Sequence, residues 1–217
     1  MNFFLPKSKT GKIRFFIIIG IAVILDLYVL FFPLYPLWSY KPQIGDIVFQ
    51  SLPKGDLVNI IEGTTHSPFS HCGIVIKKNN KWVVNEAIGI VHSTPLYLWI
   101  IRGRGSKLAV FRVKKQYSKF IPGFIKALDK YQGKPYDINY DMDDKYIYCS
   151  ELVYKAFKDA NQIKLGEIHT LGELDWKPYK EKIEFIEGGT VPTNRIMITP
   201  KHLSEAKELE KVYSFGY

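Results

Sequence analysis

Asp144-Lys-Tyr-Ile-Tyr-Cys-Ser-Glu-Leu-Val-Tyr154 sets a single cysteine at the point where a strand-like run turns into an amphipathic helix. From Cys149 onward the apolar residues Leu152, Val153, Ala156, Phe157 and Ala160 recur at helical spacing, with Lys155, Lys158 and Asp159 turned away from them. The sulfur therefore falls in the first helical turn, on the inward face. Unpaired N–H groups and a partial positive charge at a helix N-terminus favour thiolate over thiol, which makes Cys149 a candidate nucleophile. The competing reading is a buried structural cysteine, since cysteine is among the residue types most often inside. A base elsewhere in the chain decides between them.

Such a base is offered by the run His71-Cys-Gly-Ile-Val-Ile76, followed by Asn79-Asn80 and by Lys81-Trp-Val-Val-Asn-Glu-Ala87, which has the pattern of a β-hairpin. A two-residue turn at Asn79-Asn80 pairs 78 with 81 and 73 with 86, and makes His71 a diagonal neighbour of Glu86 on one face. A two-residue loop one position earlier would set them directly opposite, whereas a three-residue loop would send Glu86 to the other face. Strand alternation turns the Cys72 side chain away from His71, so Cys72 is expected in the core and outside any site that holds the imidazole. His66, in the loop Thr64-Thr-His-Ser-Pro68, is a candidate second site histidine, weighed against the solvated surface position usual for loop histidines. His92, His169 and His202 have no carboxylate or cysteine at a useful local spacing.

Cys149, His71 and Glu86 together form a Cys/His/Glu set: a thiolate–imidazolium pair able to attack a carbonyl, with the carboxylate orienting the ring. The loop from Asp137 to Asp144 imitates the opening of an EF-hand, but Met142 replaces the sharp-turn glycine and Tyr148 stands where the bidentate glutamate belongs. Neither a metal nor another cofactor is expected.

Elsewhere, Pro42 to Gln50 reads as a turn and a buried strand, and residues 54 to 69 as a Gly/Thr/Ser/Pro-rich segment with a helical centre at Asp56 to Glu62. Lys107 to Lys114 reads as a strand and Ile121 to Gln132 as a helix stopped by Gly133. Arg195 to Ile198 is expected as the last strand, with Thr199 and Pro200 opening a closing helix that runs to about Tyr213. The aromatic-rich run Leu96 to Ile101 reads as core or strand, or as one wall of an acyl groove.

Lys7, Lys9, Lys12 and Arg14 precede an apolar run over 15–38 interrupted only by Asp26, long enough to cross a bilayer as a helix. The expected organisation is a basic cytoplasmic tail over 1–14, a transmembrane helix or signal anchor over 15–38, and a domain over 42–217 outside the cytoplasm. A cleaved signal peptide competes with the anchor, but the run is long for one and no Ala-x-Ala-like pair follows it. A buried core helix is the third reading. The 217 residues carry a formal net charge of +9. Without an arginine-rich run or Cys/His finger spacing this charge fits a membrane surface or solubility rather than nucleic acid. Two cysteines exclude a disulfide framework but not a single bridge. Nothing in the chain speaks to its oligomeric state.

The segments Gly45-Asp-Ile-Val-Phe49, Ser70-His-Cys-Gly-Ile-Val75, Asn85-Glu-Ala87, Gly133-Lys-Pro-Tyr-Asp137, Tyr148-Cys-Ser-Glu-Leu-Val153 and Ile198-Thr-Pro200 occur in the order found in a known family. Over Gly45 to about Leu203 the chain resembles the circularly permuted, papain-like cysteine hydrolases of the NlpC superfamily, in particular the YiiX-like branch. The resemblance implies an α+β fold with a small antiparallel sheet or barrel packed by helices, here preceded by one transmembrane helix. It implies Cys149 as nucleophile, His71 as base and Glu86 as the orienting third residue. Tyr136 and Tyr148, in the motifs around Cys149, are the expected substrate-binding residues, with the Cys149 N–H and Tyr136 as candidates for the oxyanion. Relatives act either as peptidases or amidases on cell-wall peptides or, like lecithin retinol acyltransferase, on fatty acyl groups. The expected activity is therefore a membrane-anchored cysteine hydrolase of small peptides. A lipid acyl hydrolase or transferase, or a binding module that keeps the fold without turnover, are the alternatives.

Overall fold

Alternation and turn chemistry combine into one six-stranded antiparallel sheet in a computed structural model that describes residues 8–217. The chain enters through α1 (Lys9–Phe31) and a short helix α2 (Pro36–Ser39), then β1 (Ile47–Gln50) and α3 (Asp56–Thr65). The hairpin β2 (His71–Lys78) and β3 (Lys81–Ile88) follows, then β4 (Ile90–Pro95), α4 (Leu96–Arg102) and β5 (Leu108–Val113). After α5 (Ile121–Ala127) come α6 (Cys149–Asn161), a two-residue strand β6 (His169–Thr170) and α7 (Lys180–Glu187). The chain closes with β7 (Ile196–Met197), α8 (Pro200–Ser204) and β8 (Leu209–Phe215). The main sheet runs β4-β3-β2-β1-β5-β8, so it is open, with β4 and β8 as its edges, rather than a closed barrel; β6 and β7 pair separately.

The sheet separates two cores. On one face Ile47, Phe49, Cys72, Ile74 and Ile76 pack against α5 and α6, while on the other Val48, Val75, Val84 and Val110 pack under Leu96, Trp99 and Ile100 of α4. The hairpin turn is the two-residue kind: Lys78 pairs with Lys81, and Asn79 and Asn80 both take positive φ, as a type I′ turn requires. That register sets Gly73 beneath Glu86. A Cβ on Gly73 would lie 2.5 Å from a Val84 methyl and 2.9 Å from the Asn85 carbonyl, so the two strands approach this closely only because the residue is glycine.

Four sequence expectations are corrected. Leu96–Arg102 is a helix, because Leu96, Trp99 and Ile100 are buried at helical rather than alternating spacing. The closing helix stops at Ser204, and the last strand is Leu209–Phe215, paired with β5 along Leu108–Val113. The helix begun at Ile121 stays α-helical only to Ala127, then tightens to a 3₁₀ turn ending at Tyr131 ahead of Gly133. At the other end, α1 stops at Phe31 instead of continuing to 38, and residues 1–7 of the basic tail, Lys7 included, lie outside the described residues.

Candidate active site

Cys149 opens α6 because Tyr148 is extended at the N-cap, where its N–H donates to the Glu151 carboxylate at 3.2 Å. Two side chains flanking the cysteine fix that helix end to one point of the backbone. The Ser150 hydroxyl donates to the Ile198 carbonyl at 2.7 Å, and the Ile198 N–H donates to the Tyr148 hydroxyl at 3.1 Å. As the first residue of the helix, Cys149 has an N–H without an intrahelical acceptor.

His71 starts β2, and its Nε2 lies 2.5 Å from Oε2 of Glu86 on the neighbouring strand, both side chains being buried. With Nε2 held there, Nδ1 is the nitrogen left for the Cys149 thiol, which lies against both the imidazole and the Cys72 thiol. Burial works against the charged ring, but hydrogen bonds with Cys149 and Glu86 overcome it and hold the His71 pKa up at about 9. Glu86 shows the complement: burial works against ionisation, yet His71 and Arg102 hold its carboxyl down to about 2. Cys149 is lowered well below the ordinary thiol range, first by the Cys72 thiol and then by His71, against the opposing effect of burial. Burial and the neighbouring Cys149 push Cys72 the other way, well up. Such an arrangement can hold a thiolate against an imidazolium with a carboxylate behind it.

The placement of Cys72 corrects the sequence reading. Alternation does turn it from the His71 side of the sheet and into the core, but that face is the one α6 packs on and the one from which Cys149 comes. His71, at the very start of its strand, meets both Glu86 on one side and Cys149 on the other.

Tyr148 sits at the helix start: its ring is fully buried, stacks on Tyr140 at 4.4 Å between centroids, and its hydroxyl accepts from the Ile198 N–H. Tyr136 stands differently. It borders, with Ser70, His71, Leu52, Leu57 and Gly89, a cavity of about 200 Å³, and its hydroxyl lies 2.9 Å from that of Tyr140. Burial, with the nearby Cys149, pushes the Tyr136 hydroxyl well up, so it stays a hydrogen-bond donor. His66 lies outside the site, exposed and 3.1 Å from Asp175.

Sequence reasoning missed the surroundings of Glu86. Besides His71, the carboxylate accepts from the Thr94 hydroxyl at 2.6 Å, the Trp99 indole N–H at 2.9 Å and Nη2 of Arg102 at 2.5 Å. Trp99 and Arg102 are three residues apart, the spacing that shares a helix face, and would have been found had Leu96–Arg102 been read as a helix.

The family described as "Permuted papain-like amidase enzyme, YaeF/YiiX, C92 family" matches residues 41–213. The chain is 32% identical over 184 residues to the uncharacterized protein YiiX of Escherichia coli K12, covering 82% of this chain and 89% of that protein. It also superposes with a TM-score of 0.77 on the crystal structure of the protein described as metalloprotein yiiX from Escherichia coli O157:H7, at 33% identity, covering 81% of this chain and 99% of the other. The fold, the order of its motifs and these likenesses agree: the chain belongs to the permuted papain-like amidase family, on its YiiX branch.

Proposed function

We propose that the protein is a cysteine amidase or peptidase held at a membrane, with Cys149 as nucleophile, His71 as base and Glu86 as the residue that orients the ring. The observation that carries this is the buried His71–Glu86 pair, 2.5 Å apart, with the thiol of a helix-first cysteine against the same imidazole. The Cys149 thiolate attacks the carbonyl carbon of the substrate, and charge builds on the carbonyl oxygen, toward the Cys149 N–H and the Tyr136 hydroxyl. Collapse breaks the C–N bond, the leaving nitrogen takes the His71 proton, and a thioester remains on Cys149. Water then gives its proton to His71 and its oxygen to the acyl carbon, releasing the acid and restoring the thiolate–imidazolium pair.

Cys149 and His71 are closed to bulk solvent, and the cavity beside His71 and Tyr136 is the approach this reading gives to a substrate. Its lining of Leu52, Leu57, Val58, Ile61 and Ile88 favours, as a second reading, an acyl chain of a lipid ester or thioester attacked by the same thiolate. The metal implied by the word metalloprotein for the Escherichia coli O157:H7 relative is not carried over to this chain. Among the described residues no group of three or more His, Cys, Asp or Glu side chains is arranged to hold an ion, and His71 is already committed to Glu86.

The membrane part of the proposal rests on α1. Its 23 residues span about 34 Å at 1.5 Å per residue, enough for a bilayer core of about 30 Å, and most of the apolar side chains described along it, such as Phe16, Ile18 and Ile24, are exposed rather than packed. The basic flank supports, by the positive-inside rule, an orientation with the amidase domain on the far side of the membrane from the cytoplasm.

A thiol-directed acyl probe tests the site. Labelling is expected in the wild type and in Cys72→Ala, and is expected to vanish in Cys149→Ala; labelling that follows Cys72 instead sinks the assignment. A panel of short peptidoglycan peptides against lipid esters and thioesters then separates amidase from lipid acyl hydrolase, and turnover of neither class favours the binding module.

A further inference from the structure

The Cys/His/Glu reading leaves one strong charge beside the site without a task. Arg102, the last residue of α4, places Nη2 2.5 Å from Oε2 of Glu86, the oxygen that also meets His71. We propose that Arg102 is a positioning residue of the catalytic set, holding Glu86 ionised and aimed at His71 so that the thiolate–imidazolium pair survives in a buried site. This inference rests on the proposed roles of Cys149, His71 and Glu86.

The charge balance supplies the reason. A thiolate, an imidazolium and a carboxylate sum to one uncompensated negative charge, and burying such a charge is costly unless a partner answers it. Arg102 supplies the matching positive charge from a side chain 28% exposed, so the guanidinium keeps part of its hydration while its fork reaches a carboxylate with no exposure at all. Thr94 and Trp99 add neutral donors to the same carboxylate and fix its plane, with the Trp99 ring 6.1 Å from the His71 ring. The titratable groups around Glu86 and His71 are Cys72 of β2, His92 opposite Glu86 on β4, Arg102 of α4, Cys149 of α6 and Tyr136 of the loop before it. Of these, only Arg102 is a fixed positive charge.

Loss of the guanidinium has one sign by either route. If Glu86 stays ionised, the site gains net negative charge and the thiolate is disfavoured. If Glu86 takes a proton instead, the imidazolium loses its support and the thiolate goes with it. Both raise the pH at which Cys149 becomes a thiolate.

The test is the rate of Cys149 alkylation by iodoacetamide against pH on the full chain, read by mass spectrometry so that Cys72 is scored separately. In Arg102→Gln the acid limb is expected to rise by about one pH unit, a tenfold slower reaction at a fixed pH below the limb. Arg102→Lys is expected to restore the limb. Arg102→Met, which keeps the aliphatic stem, gives the same reading if the glutamine variant does not fold. A wild-type limb in the ordinary cysteine range sinks the thiolate reading of Cys149 and this proposal with it. A depressed wild-type limb that stays in place in Arg102→Gln sinks this proposal alone, as does a lysine variant that moves the limb as far as glutamine does.

Discussion

His71 and Glu86 make stability depend on pH in a direction their shifts determine. Because the His71 pKa is raised from 6.5 to about 9 in the fold, its contribution is complete below 6.5 and is lost as pH rises through about 9. Glu86 is lowered from 4.5 to about 2, so its contribution is complete above 4.5 and is lost as pH falls through about 2. The pair therefore contributes in full between pH 4.5 and 6.5. Glu86→Gln is expected to cost on the order of 3 kcal/mol at pH 6, as when one partner of a buried ion pair is removed, and to flatten the fall in stability between pH 6.5 and 9. Thermal denaturation of the two proteins across that range measures both effects. Equal slopes in wild type and variant would show that the imidazolium is not held by Glu86.

At the scale of elements, the site depends on how β2 and β3 approach each other, and Gly73 is where that approach is tested. An added Cβ would meet the Val84 methyl at 2.5 Å, the Asn85 carbonyl at 2.9 Å and the Glu86 Cβ at 3.3 Å, and a backbone carbonyl in a paired strand has little freedom to give way. Gly73→Ala is expected to destabilise by about 1–3 kcal/mol, the usual cost of overpacking, and to slow Cys149 labelling because Glu86 is pushed from His71. Full labelling in a destabilised variant would separate the strand approach from the site. This hairpin was legible in the sequence because Asn79-Asn80 both tolerate positive φ and the flanking runs alternate, which fixes the face of every side chain. Alternation does not say what packs onto each face, so Cys72 was placed on the correct side of the sheet without the helix that brings Cys149 to it. Leu96–Arg102 was obscure because aromatic and β-branched residues suit strands; tertiary contacts of Trp99 and Arg102 with Glu86 decide for the helix. Leu209–Phe215 was hidden by the helix-forming residues before it, and pairing with β5 overrides them.

For the whole molecule, the segment after α1 is packed onto the sheet rather than hung from it, and this separates the apolar helix from the folding of the domain. Phe32 and Tyr35 lie 5.0 and 5.7 Å from the Phe215 ring, and the Ser39 and Tyr213 hydroxyls are 2.6 Å apart. Tyr40 is buried and donates to Asp46 at 2.7 Å, the carboxylate that also accepts from Nε of Arg112 at 2.7 Å. Two truncations therefore have different outcomes. A chain begun at Phe32 loses the apolar helix and keeps this collar, so it is expected to leave the membrane fraction with its thermal stability and Cys149 labelling intact. A chain begun at Lys41 also loses the Tyr40 hydrogen bond to a charged partner, worth about 1.5–3 kcal/mol, and is expected to melt roughly 3–12 °C lower. Carbonate extraction of membranes from cells expressing the full chain completes the test. Recovery of the intact chain in the soluble wash rules out the anchor, and a mature N-terminus within the collar identifies α1 as a cleaved signal. Retention with the native N-terminus supports a helix that carries the amidase domain on the bilayer while taking no part in holding its core together.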